Sequence, residues 1–164
     1  MKKLITGTVL ALGLVGAIVT TAYAGTEKSL KRAGWITHET KIPYKELYPR
    51  LKEAIKKSGL RHITTASASA GAKGRGIMIP GNRVVGVYNN LFAVRMLEAS
   101  IAAGMEAPIR IYLTERSDGG SNISYKTPTF AFTPYFEEGG KPLKDMASEL
   151  DALFVQIAKD TIAE

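Results

Sequence analysis

Pro108-Ile109-Arg110-Ile111-Tyr112-Leu113, then Ser117-Asp118-Gly119-Gly120, then Ser121-Asn122-Ile123-Ser124-Tyr125 is the stretch that decides the fold. Both flanks are rich in strand formers, and the Asp-Gly between them supplies the positive-φ residue that a hairpin turn needs. The flanks therefore pair antiparallel with no helix between them. A sheet that receives such a hairpin is mostly antiparallel and gathers its helices on one face.

Upstream, Asn82-Arg83-Val84-Val85-Gly86-Val87-Tyr88 reads as a buried strand ended by Asn89-Asn90, with Asn90 suited to cap a helix over about Leu91 to Ala103. Ala93, Leu97 and Ile101, with Phe92 and Met96 beside them, give that helix its apolar stripe, and Gly104 ends it. The run Ser67-Ala68-Ser69-Ala70-Gly71-Ala72-Lys73-Gly74-Arg75-Gly76 contains only small residues and two cations, so it reads as a loop with no side chains to hold it down. Arg61 to Ala66 and Trp35 to Ile42 read as two further strands. Between them Leu47, Leu51, Ala54 and Ile55 share one face of a helix that opens after Pro43 and closes at Gly59. Pro49 inside it predicts either a kink or a start at Pro49 itself. Downstream, Thr127 to Pro142 mixes aromatics with turn formers. After it Met146, Leu150, Leu153, Phe154, Ile157, Ala158, Thr161 and Ile162 recur at 3.6-residue spacing, an amphipathic C-terminal helix. The expected fold class is α+β, a two-layer domain in the order βαββαββα.

The chain opens with Met1-Lys2-Lys3, an uncharged run from Leu4 to Thr21, and Ala22-Tyr23-Ala24 before Gly25. Small residues at Ala22 and Ala24 fit a signal peptidase site, so residues 1–24 read as a cleavable Sec-type leader and the destination as the periplasm or the exterior. A retained anchor is the alternative. Removing the leader leaves 140 residues, read as a polar arm over 25–34 and one domain over 35–164. The chain has no cysteine, which excludes disulfides, thiolate metal sites and covalent haem attachment. Without Lys2 and Lys3 the formal charge of +7 falls to +5, spread over clusters with acidic residues between them. No basic stripe with interleaved aromatics is present, so nucleic acid is not an expected partner, nor is stable membrane insertion after cleavage.

Arg83-Val84-Val85-Gly86-Val87-Tyr88-Asn89-Asn90 and the Leu97 helix, Ala107-Pro108-Ile109-Arg110-Ile111-Tyr112-Leu113, Asp118-Gly119, and Ser124-Tyr125-Lys126-Thr127-Pro128 together carry a family resemblance. In their order and spacing, over about Ile36 to Ile162, the chain resembles the domain of unknown function 302 family. Tyr125 and Pro128 match that family's Tyr-x-x-Pro. Asn89 matches its strand-ending Asn, but the proline that follows in the family is Asn90 here. Many exported members place an Asp-His pair after the second strand, where this chain has Thr65-Ala66-Ser67-Ala68. The resemblance implies a compact α+β fold and no established activity.

The residues themselves name no catalytic set. Glu98, Glu106, Glu115 and Asp118 lack paired spacing, and Ser67 and Ser69 lack a nucleophile's setting. His38 and His62, on strands either side of the first helix, would meet if those strands were neighbours. A noncovalent haem held by one of them with Met78, Met96, Met105 or Tyr88 is the alternative to no cofactor; no metal site is expected. The glycines around Lys73 and Arg75 suggest an anion loop, but no helix follows to complete a phosphate site. Tyr112, Tyr125, Phe130, Phe132, Tyr135 and Phe136 are concentrated in one region, some of them as groove lining. The expected site is therefore a groove floored by Tyr88 and Tyr125, closed by the Gly71 loop with Lys73 and Arg75, and polar at Asn89. The expected function is an exported, non-catalytic domain that binds a small molecule or acts as an accessory. The alternatives are an interaction or homodimer module and an enzyme of unknown type using the same cleft.

Overall fold

The computed structural model describes Leu30 and residues 32–163. The expected leader and most of the expected arm lie outside the described residues. No described helix is long and apolar enough to cross a membrane. The strands are β1 (Trp35–Thr40), β2 (Arg61–Ala66), β3 (Asn82–Tyr88), β4 (Ile109–Glu115) and β5 (Ser121–Lys126). The helices are α1 (Tyr44–Lys57), α2 (Ala68–Lys73), α3 (Asn90–Ala99), α4 (Pro128–Phe132) and α5 (Phe136–Ile162). Every neighbouring strand pair is antiparallel, in the order β1-β5-β4-β3-β2. The fold is the expected α+β, with helices against one face of an open sheet.

The hairpin forms as its turn chemistry requires. Gly119 takes φ +87°, and Gly120 lies so close to β1 that a Cβ there would stand 2.4 Å from the carbonyl oxygen of Thr40. Strand alternation then sorts the side chains. Ile36, Tyr125, Ile111 and Val85 align across the sheet on the helix side, as do His38, Ile123, Leu113 and Arg83 one row further on. Against them pack Leu47, Leu51 and Ile55 of α1, Met96 of α3, and Leu143, Met146, Leu150, Phe154 and Ile157 of α5, all buried. The C-terminal stripe read from the sequence is this face of α5.

The α1 helix opens after Pro43 at Tyr44, as expected, and runs through Pro49 rather than taking the alternative start there. Four other local expectations are corrected. Asn89, not Asn90, caps α3: its Oδ1 accepts from the N–H groups of Leu91 and Phe92. That helix ends at Ala99, because the Ser100 hydroxyl accepts the N–H of Ala103 and starts a separate 3-10 turn over Ala102–Glu106. Met96 and Ala93 are its buried face, whereas Leu97 and Ile101 point outward, 46 % and 80 % exposed. Finally, the supposed loop after β2 contains a helix with anchors. Ser67 accepts the N–H of Ala70 as its N-cap and donates to the carbonyl of Asn82 at 2.7 Å, and Ser69 accepts the N–H of Asn82 at 3.1 Å. Two serines at capping spacing, followed by helix-favouring alanines, supply what the small residues seemed to lack.

Candidate functional site: the open face of the sheet

The side of the sheet away from α1, α3 and α5 carries its own aligned rows. Thr37, Ser124, Tyr112, Val84 and Ala66 form one across all five strands. Trp35 pairs with Lys126 on one side of it, and Arg110 with Gly86 and Thr64 further along. A hollow of about 560 Å³ opens over these rows. Val84, Tyr112 and Ser124 lie along it, Ala66 and Ala68 wall it at the β2 end, and Trp35 and Lys126 at the β1 end. The α2 helix reaches it because Asn82 accepts the Ala68 N–H on its side-chain oxygen at 3.0 Å.

Its polar groups have distinct states. Ser124 is fully buried and its Oγ accepts from the Thr37 hydroxyl at 3.1 Å. Burial pushes the Tyr112 phenol above the usual tyrosine range, with the nearby Tyr44 adding to the effect. Glu106 is engaged by Tyr135, whose hydroxyl donates to it at 3.1 Å. Arg110 and Lys126 have no carboxylate within ion-pair distance among the described residues. The hollow therefore offers an aromatic and aliphatic floor with two cations at its margin that have no ion-pair partner among the described residues. No described cluster of three or more His, Asp and Glu side chains is placed to hold a metal.

The structure does not bring the five expected site residues into one groove. Tyr88 and Asn89 border a separate cavity of about 30 Å³, lined also by Phe92, Met96 and Phe154 between the sheet and helices. Asn89 spends its amide on the α3 cap and on the Gly59 carbonyl, to which Nδ2 donates at 3.1 Å. Lys73 and Arg75 lie exposed at the C-terminal end of α2, where a helix presents carbonyls and not N–H groups. Tyr125 touches the hollow but is a core residue, 3 % exposed, with its ring 5.3 Å from that of Phe154. His38 and His62 stand on the two opposite edge strands, four strand spacings or roughly 19 Å apart. They cannot share one ion or one haem iron. Of the methionines considered beside them, Met96 is buried in the core, and Met78 and Met105 are exposed.

The residues missed were Trp35, Val84, Arg110, Ser124 and Lys126. The alternation of β4 and β5 marks the last three as lying on the side opposite Ile111 and Ile123, but only the strand order makes them neighbours of Trp35.

Tyr125 gives a test of its own. Its hydroxyl is buried with no hydrogen-bond partner among the described residues, and burial, assisted by Asp151, pushes its pKa up to about 12. The fold thus favours the neutral phenol. That contribution is complete below the unfolded value of 10 and is lost as pH rises through about 12. Tyr125→Phe is expected to leave stability at pH 7 unchanged or raised by up to about 1 kcal/mol. It should also make the fall in Tm between pH 10 and 12 shallower. A loss above about 1 kcal/mol at pH 7 in a denaturant titration would show that the hydroxyl serves a partner.

The sequence profile "Domain of unknown function DUF302" matches residues 36–160, and the chain belongs to that family. A solved structure, "Crystal structure of uncharacterized conserved protein DUF302 from Bacillus stearothermophilus", is similar with a TM-score of 0.69 at 18 % identity, covering 79 % of this chain and 98 % of that one. At that identity the likeness concerns the fold. No curated protein matches the chain.

Proposed function

We propose that this chain is an exported, non-catalytic binding domain that holds a small molecule with a flat apolar body and an anionic end on the open face of its sheet. Export rests on the leader-like residues 1–24. The hollow carries the rest: about 560 Å³ lies within the range of small-molecule sites, and its floor and margin divide into an apolar part and two cations without an ion-pair partner among the described residues. The one carboxylate among the described residues lining it, Glu106, accepts the Tyr135 hydroxyl on Oε1. A second reading, a protein contact or homodimer, is favoured by one observation. Leu91, Val94, Leu97, Ile101 and Met105 on α3 and the turn after it are all exposed apolar residues.

Trp35 is the chain's only tryptophan and lies in the hollow, so its emission reports occupancy. With excitation selective for tryptophan, naphthalene sulfonate is expected to change that emission saturably. It should bind at least about tenfold more tightly than naphthalene methanol, the difference a charge-assisted contact supplies. Equal affinities for the two probes, or no change at Trp35, would refute the assignment.

A further inference from the structure

At the β2 edge, on the helix side of the sheet and away from the hollow, three basic side chains gather around one ring. The Arg83 guanidinium carbon lies 4.1 Å from the centroid of Tyr48 and the Lys52 ammonium 5.2 Å from it. His62 meets the same ring edge-on, 5.9 Å between centroids at 85°. Tyr48 and Lys52 are one helical turn apart on α1, and His62 of β2 and Arg83 of β3 reach the Tyr48 ring from the neighbouring strands.

The cluster lacks a negative partner. No carboxylate lies within ion-pair distance of Arg83 or Lys52 among the described residues. Arg116, whose side chain is largely covered, is held by both Glu39 and Asp118. Arg83 makes only a long bond to Thr65 Oγ1, at 3.5 Å, and its Nε is buried with no hydrogen-bond partner among the described residues. A ring face attracts each cation by about 0.5–2 kcal/mol but neutralises neither, and a buried guanidinium N–H left unpaired is costly. His62 donates Nε2–H to the Thr64 carbonyl at 3.1 Å, so the ring offers Nδ1–H to an oxyanion only in its doubly protonated form.

We propose that Arg83, Lys52 and His62 bind a phosphate group at the β2 edge. A planar fork, a mobile ammonium and an imidazole suit a multiply charged tetrahedral oxyanion better than a single carboxylate. This site is independent of the open-face hollow and stands or falls separately.

The chain's two histidines make the test internally controlled, because His38 sits on the opposite edge strand. Ring resonances of both are followed by 1H–13C NMR at fixed pH and ionic strength while inorganic phosphate, glycerol phosphate, acetate or chloride is added. The expected result is a saturable shift of His62 with the phosphates, and none of His38. Tighter binding of glycerol phosphate would assign a phosphate ester as the natural source, and equal binding the free ion. Arg83→Lys, which keeps the charge and loses the fork, should bind about tenfold more weakly. Lys52→Ala, on the exposed side of α1, should weaken binding by a similar factor without touching the core. Matching His62 shifts with acetate or chloride, shifts of both histidines together, or unaltered phosphate binding in both variants would overturn the proposal.

Discussion

Phe154→Ala is expected to cost about 3–5 kcal/mol of stability, the largest effect of any single substitution considered for this chain. Phe154 is fully buried on α5, its ring meets Tyr125 of β5 at 62°, and it lines the cavity of about 30 Å³ with Phe132, Met146 and Leu150. That cavity sets the magnitude. Truncation next to existing empty space enlarges a void that the flanking sheet and helices are too constrained to close, so the cavity penalty adds to the lost transfer free energy. The same substitution removes the contact that orients Tyr125 and joins α5 to the sheet. A denaturant titration should show a lower midpoint with an unchanged slope. A cost below about 1.5 kcal/mol would mean that this packing is not the core of the domain.

The second large effect concerns binding. Reversing both margin cations, Arg110→Glu with Lys126→Glu, is expected to weaken naphthalene sulfonate by at least about 100-fold, equivalent to roughly 2.7 kcal/mol. Both side chains are exposed, so the fold should change by no more than about 0.5 kcal/mol. A unit charge about 5 Å from its partner contributes roughly 3 kcal/mol at an effective dielectric of 20 before desolvation, and the double reversal converts two such attractions into repulsions. Naphthalene methanol carries no charge and should bind the variant as it binds the parent chain. Equal losses for the two probes in a fluorescence titration at Trp35 would assign the effect to a damaged surface and not to charge.

Local signals made much of the fold legible. Asp118-Gly119 between two strand-forming flanks gave the hairpin, the 3.6-residue recurrence from Met146 to Ile162 gave the buried face of α5, and Leu47, Leu51, Ala54 and Ile55 gave that of α1. What failed depended on contacts distant in sequence. His38 and His62 would have met only if the strands on either side of the first helix were neighbours. The first strand instead pairs with β5, which sends the two histidines to opposite edges. The α2 helix was hidden because its anchor is Asn82, beyond the glycines that made the segment look unattached. Leu97 and Ile101 looked like core because α3 is apolar on several sides, and only packing against α5 chooses Ala93 and Met96.

The candidate site was legible in kind and misplaced in position. Aromatics near the final hairpin pointed to a groove, and Tyr112 does lie in one. Its companions Trp35, Arg110 and Lys126 come from three strands, and their alignment follows from strand order, which no local pattern encodes. Asn89 was expected to supply the polar end of the groove through its amide. Helix capping and the Gly59 carbonyl claim that amide in the folded chain.

The most direct measurement is an isotope-edited NOE experiment on labelled protein with unlabelled naphthalene sulfonate. Contacts are expected from the probe to the ring protons of Trp35 and Tyr112 and to the methyls of Val84. Contacts instead to Val94, Leu97 and Ile101 on the outer side of α3, or to no residue of the open face, would contradict an open-face site.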